Sequence, residues 1–358
     1  MFVTNRKVLK RKFTIVHYAN VNFYPPVQNL LAELSDSDGP EVELITGYHY
    51  EFPGLRVVNP SGIFQHSRSK LLHYTWWILV LLWKNARELP GAKTLLYEAN
   101  SFPALLLNST RSDVWLHFHE YRRPDRMQLS FFELLSELEI RRLIKKPLYV
   151  SHVTVARKQL LLDEGAHPRN EIRVMWNCPR LEWSQNSDLD EKRSHTLVLV
   201  GALGKSTWYK EVMEAFECQN EYDLHVYGKD KFESTNRVKY CGWVDYANLP
   251  EILSRYRVGL VWYNGESENF TSGISNKIFE YIHCGLHVIV SNEMAEAKNR
   301  LLVEYGASVS FVDFKSEDWM KALSKCFQQD RLPNRKHHFR LCAEPLLQWI
   351  QNEKEPQL

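Results

Sequence analysis

The chain is poor in the features that would place it quickly. Six cysteines, Cys178, Cys218, Cys241, Cys284, Cys326 and Cys342, are spread over 358 residues. No two are close enough in sequence to form a metal-ligand pair, and the scatter is not that of a disulfide framework. Single cysteines among apolar neighbours read as core residues, so the expected compartment is reducing. There is no apolar run of the roughly 20 residues that a membrane-spanning helix needs. The basic start NRKVLKRK has neither the apolar core nor the small-residue cleavage site of a signal peptide, which makes a cytoplasmic location the expectation. Excess charge is missing as well: a formal net charge of +2 gives a nucleic-acid partner no support. No low-complexity tract or residue-level repeat is visible. No DxD-type acidic pair stands in a promising loop, so no metal site is expected.

What is present is ordinary in bulk and patterned in detail. Hydrophobic residues make up 44% and charged residues 25%, the balance of an average globular protein, and the length suits two domains of ordinary size. Residues 1–190 carry 24 Lys and Arg against 20 Asp and Glu, and the rest 21 against 23, so an anionic surface should prefer the first half. The segment LLHYTWWILVLLW (71–83) admits two readings. One is a helix buried on most sides. The other is an interfacial helix with Trp76, Trp77 and Trp83 at headgroup level. The flanking Lys70, Lys84 and Arg87 suit both, because long basic side chains keep their heads in water.

Strands and helices alternate along the chain. FTIVHYA (13–19), EVELITG (41–47), TLLYEAN (94–100), VWLHFHE (114–120), LYVSH (148–152) and EIRVMWN (171–177) read as strands. PPVQNLLAEL (25–34) has proline in its first turn and reads as a helix. So do the stretch from Arg126 to Lys146, ended by Pro147, and VARKQLLLDEG, stopped by Gly165. PRLEWSQNSDLDEKRSH (179–195) is polar, without an apolar period, and reads as a linker. The alternation then restarts with strands HTLVLVG (195–201), DLHVYG (223–228), VKYCGWV (238–244), VGLVWY (258–263) and HVIVS (287–291), and helices YKEVMEAFE (209–217) and NLPEILSRY (248–256). This spacing predicts parallel βαβ units, hence an α/β protein with two Rossmann-like parallel-sheet domains. Their expected bounds are 1–185 and 195–335, with a C-terminal helix in 336–358 that is a candidate to cross back to the first domain. Such sheets bind ligands at the carboxyl ends of their strands, and a central cleft between two of them is the default site.

One stretch concentrates the chemistry: TSGISNKIFEYIHCGLHVIVS (271–291). Ser272 or Ser275 is placed to cap a helix that starts near Asn276. The free backbone N–H groups of such a start form an anion site, and Lys277 adds a full charge one turn in. Glu280 lies three residues on, on the same face, while Ile278, Phe279 and Ile282 supply an apolar side. A phosphate at the helix start and a carboxylate accepting two hydroxyl hydrogen bonds would suit a nucleotide sugar, with the ribose diol on Glu280. The plainer reading is a surface Lys–Glu pair on an ordinary amphipathic helix.

NKIFEYIHCGLHVIVS resembles the donor-binding motif of GT-B glycosyltransferases, in particular the family 4 nucleotide-sugar transferases. Glu280 stands at the family glutamate that holds the ribose, Gly285 at its glycine, and Val288 and Ile289 in its following strand. LVLVGALG (197–204), LHVYG (224–228) and YCGWVDYANLPEILSRYRVGLVWY (240–263) resemble the family's other strands and turns. The resemblance covers roughly 195–295 and reaches the first half only in outline. It implies donor contacts from Gly201, Gly204 and Gly228, from Val244, and from Ser272, Gly273, Ser275, Lys277 and Glu280. The chain departs from the family where a first glutamate would stand, which is Ser272 here. The family's phosphate-binding lysine falls at Thr207, with Lys205 and Lys210 on either side as candidates. His287 replaces a proline.

The same resemblance implies a first-domain loop that faces the donor sugar. HFHEYRRP (117–124) ends a strand in that position, with His119 and Glu120 as catalytic candidates. A histidine there can donate to a sugar hydroxyl or hold the acceptor, and a carboxylate can act as general base if the reaction inverts. The alternative is that His117 and His119 are alternating strand residues, one of them buried. Asn22 and Pro25 are candidates for the acceptor side. The expected activity is transfer of a sugar, with retention as the family implies, from a UDP- or GDP-sugar to a glycan or polyprenyl-linked acceptor in surface polysaccharide synthesis. Peripheral contact with the inner face of the cell membrane would accompany a lipid-linked acceptor. The alternatives are a degenerate GT-B module that binds without turnover and a nucleotide-sugar 2-epimerase.

Overall fold

Parallel strands covered on both faces should be apolar along their whole length. In the computed structural model the strand Val114–Phe118 is buried at every position. The structure describes residues 12–35, 40–61, 64, 69–87, 92–106, 113–123, 129–183, 193–201, 209–314, 316, 318–329, 334 and 336–351. The chain divides into two compact units. The first takes Met1–His152, Lys158–Met175 and Ala343–Leu358, and the second Val153–Arg157 and Trp176–Cys342.

The first unit is built on seven strands: β1 (Lys12–His17), β2 (Glu41–Thr46), β3 (Arg56–Val58), β4 (Lys93–Tyr97), β5 (Val114–Phe118), β6 (Tyr149–His152) and β7 (Arg173–Val174). They lie in the order β3-β2-β1-β4-β5-β6-β7, all parallel. Register is set by apolar matches such as Ile15 opposite Leu44 on one side and Leu95 on the other. The Trp-rich segment falls within the helix Lys70–Arg87, which buries Tyr74, Trp76, Trp77 and Leu81 against the sheet. The Trp77 indole N–H donates to the Asn100 carbonyl at 2.6 Å. Trp83 and Leu79 on the outer face remain exposed. The helix Phe131–Leu143 starts where Glu133 accepts the Ser130 N–H at 2.9 Å, closing a capping box. The helix Glu344–Gln351 returns to this unit and sets Trp349 against Phe13 and Trp115. Among the described residues no helix is long and apolar enough to cross a membrane.

The second unit carries β8 (Arg193–Val200), β9 (Asp223–Tyr227), β10 (Val238–Gly242), β11 (Tyr256–Val261), β12 (His287–Ser291) and β13 (Val309–Val312). Their order is β10-β9-β8-β11-β12-β13, again all parallel. In both sheets the chain first winds outward one way and then reverses, so each has a switch point: β1 beside β4, and β8 beside β11. The crevice outside the carboxyl ends at a switch point is where such sheets hold ligands. Several sequence expectations change in extent: the helix expected over 126–146 is Phe131–Leu143, and the strand expected over 114–120 ends at Phe118. The strand expected over 171–177 is only Arg173–Val174, because it is the sheet edge and pairs on one side alone. The helix expected over 248–256 is Leu249–Leu253, since Tyr256 already pairs with β8.

Candidate functional site

In the second unit the switch point is closed by glycines. Gly201 follows β8 with φ of +132°, a backbone shape that disfavours side chains, and its N–H donates to the Tyr227 carbonyl at 2.9 Å. A Cβ at Gly201 would lie 2.4 Å from Cε of Lys277, and one at Gly228 would lie 2.3 Å from the Gly201 carbonyl oxygen. The two glycines therefore let the ends of β8 and β9 approach each other and let Lys277 lie across the end of β8.

The helix Asn276–His283 is pinned to this spot by Tyr281. Its hydroxyl accepts the Val200 N–H at 2.9 Å, and its ring lies where a Cβ at Gly259 would stand 2.3 Å away. Ile278, Phe279 and Ile282 bury beside it, and Trp176 stacks on Phe279 at 5.6 Å. Glu280 is on this buried helix and is only 4% exposed. Burial pushes its pKa up to about 7, against the opposing pull of Lys277. A carboxyl group that costly to ionise, with an ammonium as its charged neighbour, makes Glu280 a candidate for a binding or catalytic position. Ser275 occupies the N-cap with extended backbone but makes no side-chain cap hydrogen bond, and its Oγ is 3.5 Å from the Tyr263 hydroxyl.

The loop before this helix is held from a distant segment of the same unit. The Thr154 hydroxyl donates to the Ser272 carbonyl at 2.8 Å. The buried Arg157 guanidinium donates to the Asn269 carbonyl and fills the space where a Cβ at Gly273 would stand, 2.5 Å from Nη2. Ser272 itself is buried, and its hydroxyl donates to the Glu268 carbonyl. Sequence reasoning missed Thr154 and Arg157, and no local pattern marks them. The structure thus brings Gly201, Gly228 and Lys277 together, with Glu280 on the same helix and Ser272, Gly273 and Ser275 on the approach to it. Val244 is half-buried in the loop after β10. Lys210 is exposed and pairs with Glu214 at 3.8 Å. Gly204, Lys205 and Thr207 lie outside the described residues.

In the first unit His119 and Glu120 follow β5 at its carboxyl end. His117, two residues before His119 and within β5, is buried, its Nδ1 is 2.8 Å from the Ser151 hydroxyl, and burial lowers its pKa to about 3. It is a neutral core histidine. The His119 ring lies 5.1 Å from that of Tyr24, in the segment that contains Asn22 and Pro25. Glu120 is engaged by Arg122, at 2.8 Å to Nη2 and 3.1 Å to Nε. A residue absent from the sequence reading organises this turn. Glu98, directly after β4, accepts the His119 N–H at 2.7 Å and the Glu120 N–H at 3.0 Å on one oxygen, Oε1. Burial, with the Glu120 charge beside it, pushes its pKa up to about 8.

Residues 197–304 match the family described as glucosyltransferase 3-like, C-terminal domain. Among solved structures, sucrose-phosphate synthase from Thermosynechococcus elongatus is similar over 89% of both chains, at 14% identity and a TM-score of 0.65. Anabaena Alr3699/HepE, solved in complex with UDP and glucose, is similar over 93% of this chain and 95% of its own, at 13% identity and a TM-score of 0.65. The fold is GT-B. It is not confined to transferases: UDP-GlcNAc 2-epimerase from Methanocaldococcus jannaschii is similar over 94% of this chain and 98% of its own, at 13% identity and a TM-score of 0.56. No curated protein matches the chain.

Proposed function

We propose that the chain is a glycosyltransferase that moves a sugar from a nucleoside-diphosphate donor to a glycan or polyprenyl-linked acceptor. The observation that carries this reading is the seating of Lys277 over Gly201 on the same helix as the buried Glu280. A diphosphate at the start of Asn276–His283 meets the helix dipole and Lys277. The ribose hydroxyls then donate to Glu280, which exchanges a costly desolvated state for two hydrogen bonds. UDP is the favoured nucleotide, because HepE, of the same fold, was solved with UDP and glucose. The first unit handles the acceptor, with His119 and Glu120 at the carboxyl end of β5. Transfer proceeds with retention, assisted by the departing diphosphate, and serves surface polysaccharide synthesis at the inner face of the membrane.

The test is thermal unfolding with UDP-, GDP- and ADP-sugars. A donor present at a hundred times its dissociation constant adds about 2.7 kcal/mol of stability. Stabilisation by none of the three overturns the donor assignment. A 2-epimerase would instead convert UDP-N-acetylglucosamine to its manno isomer with no acceptor present, and product analysis separates the two activities.

A further inference from the structure

Glu98 has the only positive φ among the described non-glycine residues, at +64°. Such a conformation is sparsely populated and persists only where the surroundings over-determine it. Here they do. Its N–H donates to the His117 carbonyl at 2.9 Å, tying it to β5. Its carbonyl accepts the Ser101 N–H at 3.2 Å and the Ser101 hydroxyl at 2.6 Å. Its side chain reaches the end of the neighbouring strand β5, where Oε1 alone receives the amides of His119 and Glu120. Two successive N–H groups converging on one oxygen fix the chain direction just past the strand end, and with it the places from which the His119 ring and Glu120 carboxylate depart.

We propose that Glu98 is a positioning residue: through Oε1 it holds the His119–Glu120 turn in its working geometry, and it does not itself touch substrate. The assignment of work to that turn rests on the glycosyltransferase reading above. The positioning is a property of the chain whether or not that reading holds. What matters in this role is the reach of the side chain and its acceptor oxygen rather than its charge. Glutamine keeps both, whereas aspartate keeps the charge but is one methylene short of two amides.

Three variants, Glu98→Gln, Glu98→Asp and Glu98→Ala, separate these properties. Two readings are taken on each: hydrogen exchange of the His119 and Glu120 amides by NMR, and UDP release from UDP-glucose with its kcat and KM. We expect Glu98→Ala to lose protection of both amides by about tenfold or more, because each amide loses its acceptor. Its kcat should fall by a similar factor or more while KM for UDP-glucose stays within about twofold, because donor binding lies in the other unit and the loss is one of geometry. Glu98→Gln should stay near wild type in both readings, and Glu98→Asp should fall between. If Glu98→Ala does not fold, the order of the other two decides. Asp above Gln in protection overturns the proposal, since that is the order expected of a charge. Equal amide protection in Glu98→Ala and wild type overturns it too, as does lost protection with unchanged kcat. If wild type releases no UDP, it is the glycosyltransferase reading with this donor that fails, and amide exchange alone decides the role of Glu98.

Discussion

At the scale of single residues, the donor role proposed for Glu280 stands against the stability cost of burying it. Its pKa in the folded chain is raised to about 7, with burial as the main cause. Between the ordinary carboxyl range and pH 7 the folded state therefore holds a proton that the unfolded chain has released. Stability from this group is greatest at low pH and falls as pH rises toward about 7, by an amount on the order of a few kcal/mol. Glu280→Gln removes the penalty. We expect its melting temperature to exceed wild type at pH 8 and the difference to shrink at pH 5. The same change leaves one ribose hydroxyl without a charged acceptor, so UDP should bind about tenfold more weakly or worse by calorimetry. Equal affinity at pH 8 would remove Glu280 from the site. Glu280 and Lys277 were visible in the sequence because both lie on one short helix with a glycine and an apolar strand behind. Glu98 was not. Its partners stand 21 and 22 residues away on another strand, and it meets their backbone, which leaves no mark on residue type.

At the scale of elements, the loop before the helix Asn276–His283 depends on a segment more than a hundred residues earlier. Arg157→Ala withdraws the guanidinium from the Asn269 carbonyl and opens space beside Gly273. A lost hydrogen bond of this kind in a buried place costs about 1–3 kcal/mol. We expect a lower urea midpoint and weaker UDP binding together, while Arg142→Ala, an exposed i,i+3 partner of Glu139, should change neither. The helix Lys70–Arg87 shows how far an apolar run can be read. The sequence left burial and membrane contact both open. Trp76 and Trp77 go to the core, while Leu72, Leu79 and Trp83 face outward, with Arg87 over the Trp83 ring at 4.7 Å. If this face rests on an anionic leaflet, co-sedimentation with anionic vesicles appears at low salt and fades as salt is raised, since each basic residue contributes about 1 kcal/mol. No binding at low salt points to an acceptor free in solution. The edge strands β3 and β13 escaped the sequence reading because each is short and pairs on one side only, so neither needs a long apolar run.

At the scale of the whole molecule, alternation of strands and helices was enough to predict two parallel sheets. Where each sheet reverses was not legible, since it depends on which face each crossover takes rather than on composition. Nor was the meeting of Cys178 and Cys342, whose sulfurs stand 3.5 Å apart from positions 164 residues distant in the chain. The charge arrangement yields one expectation for the complete protein. In the proposed donor pose Lys277 and the helix start neutralise the diphosphate without a cation. Sugar transfer should therefore persist in EDTA. Loss on chelation, restored by Mn²⁺ or Mg²⁺, would assign the diphosphate to a metal instead.

The return of the helix Glu344–Gln351 to the first unit has a consequence for how the protein is made. Phe13 and Trp115 wait for Trp349, and Lys93 waits for the Trp349 carbonyl. On the ribosome all of Trp176–Cys342 is synthesised in between, which takes about 10–30 s at ordinary elongation rates. The unit begun first is thus the one completed last, and for that interval a nascent chain carries an uncovered aromatic face that a chaperone or a neighbouring polysome can find.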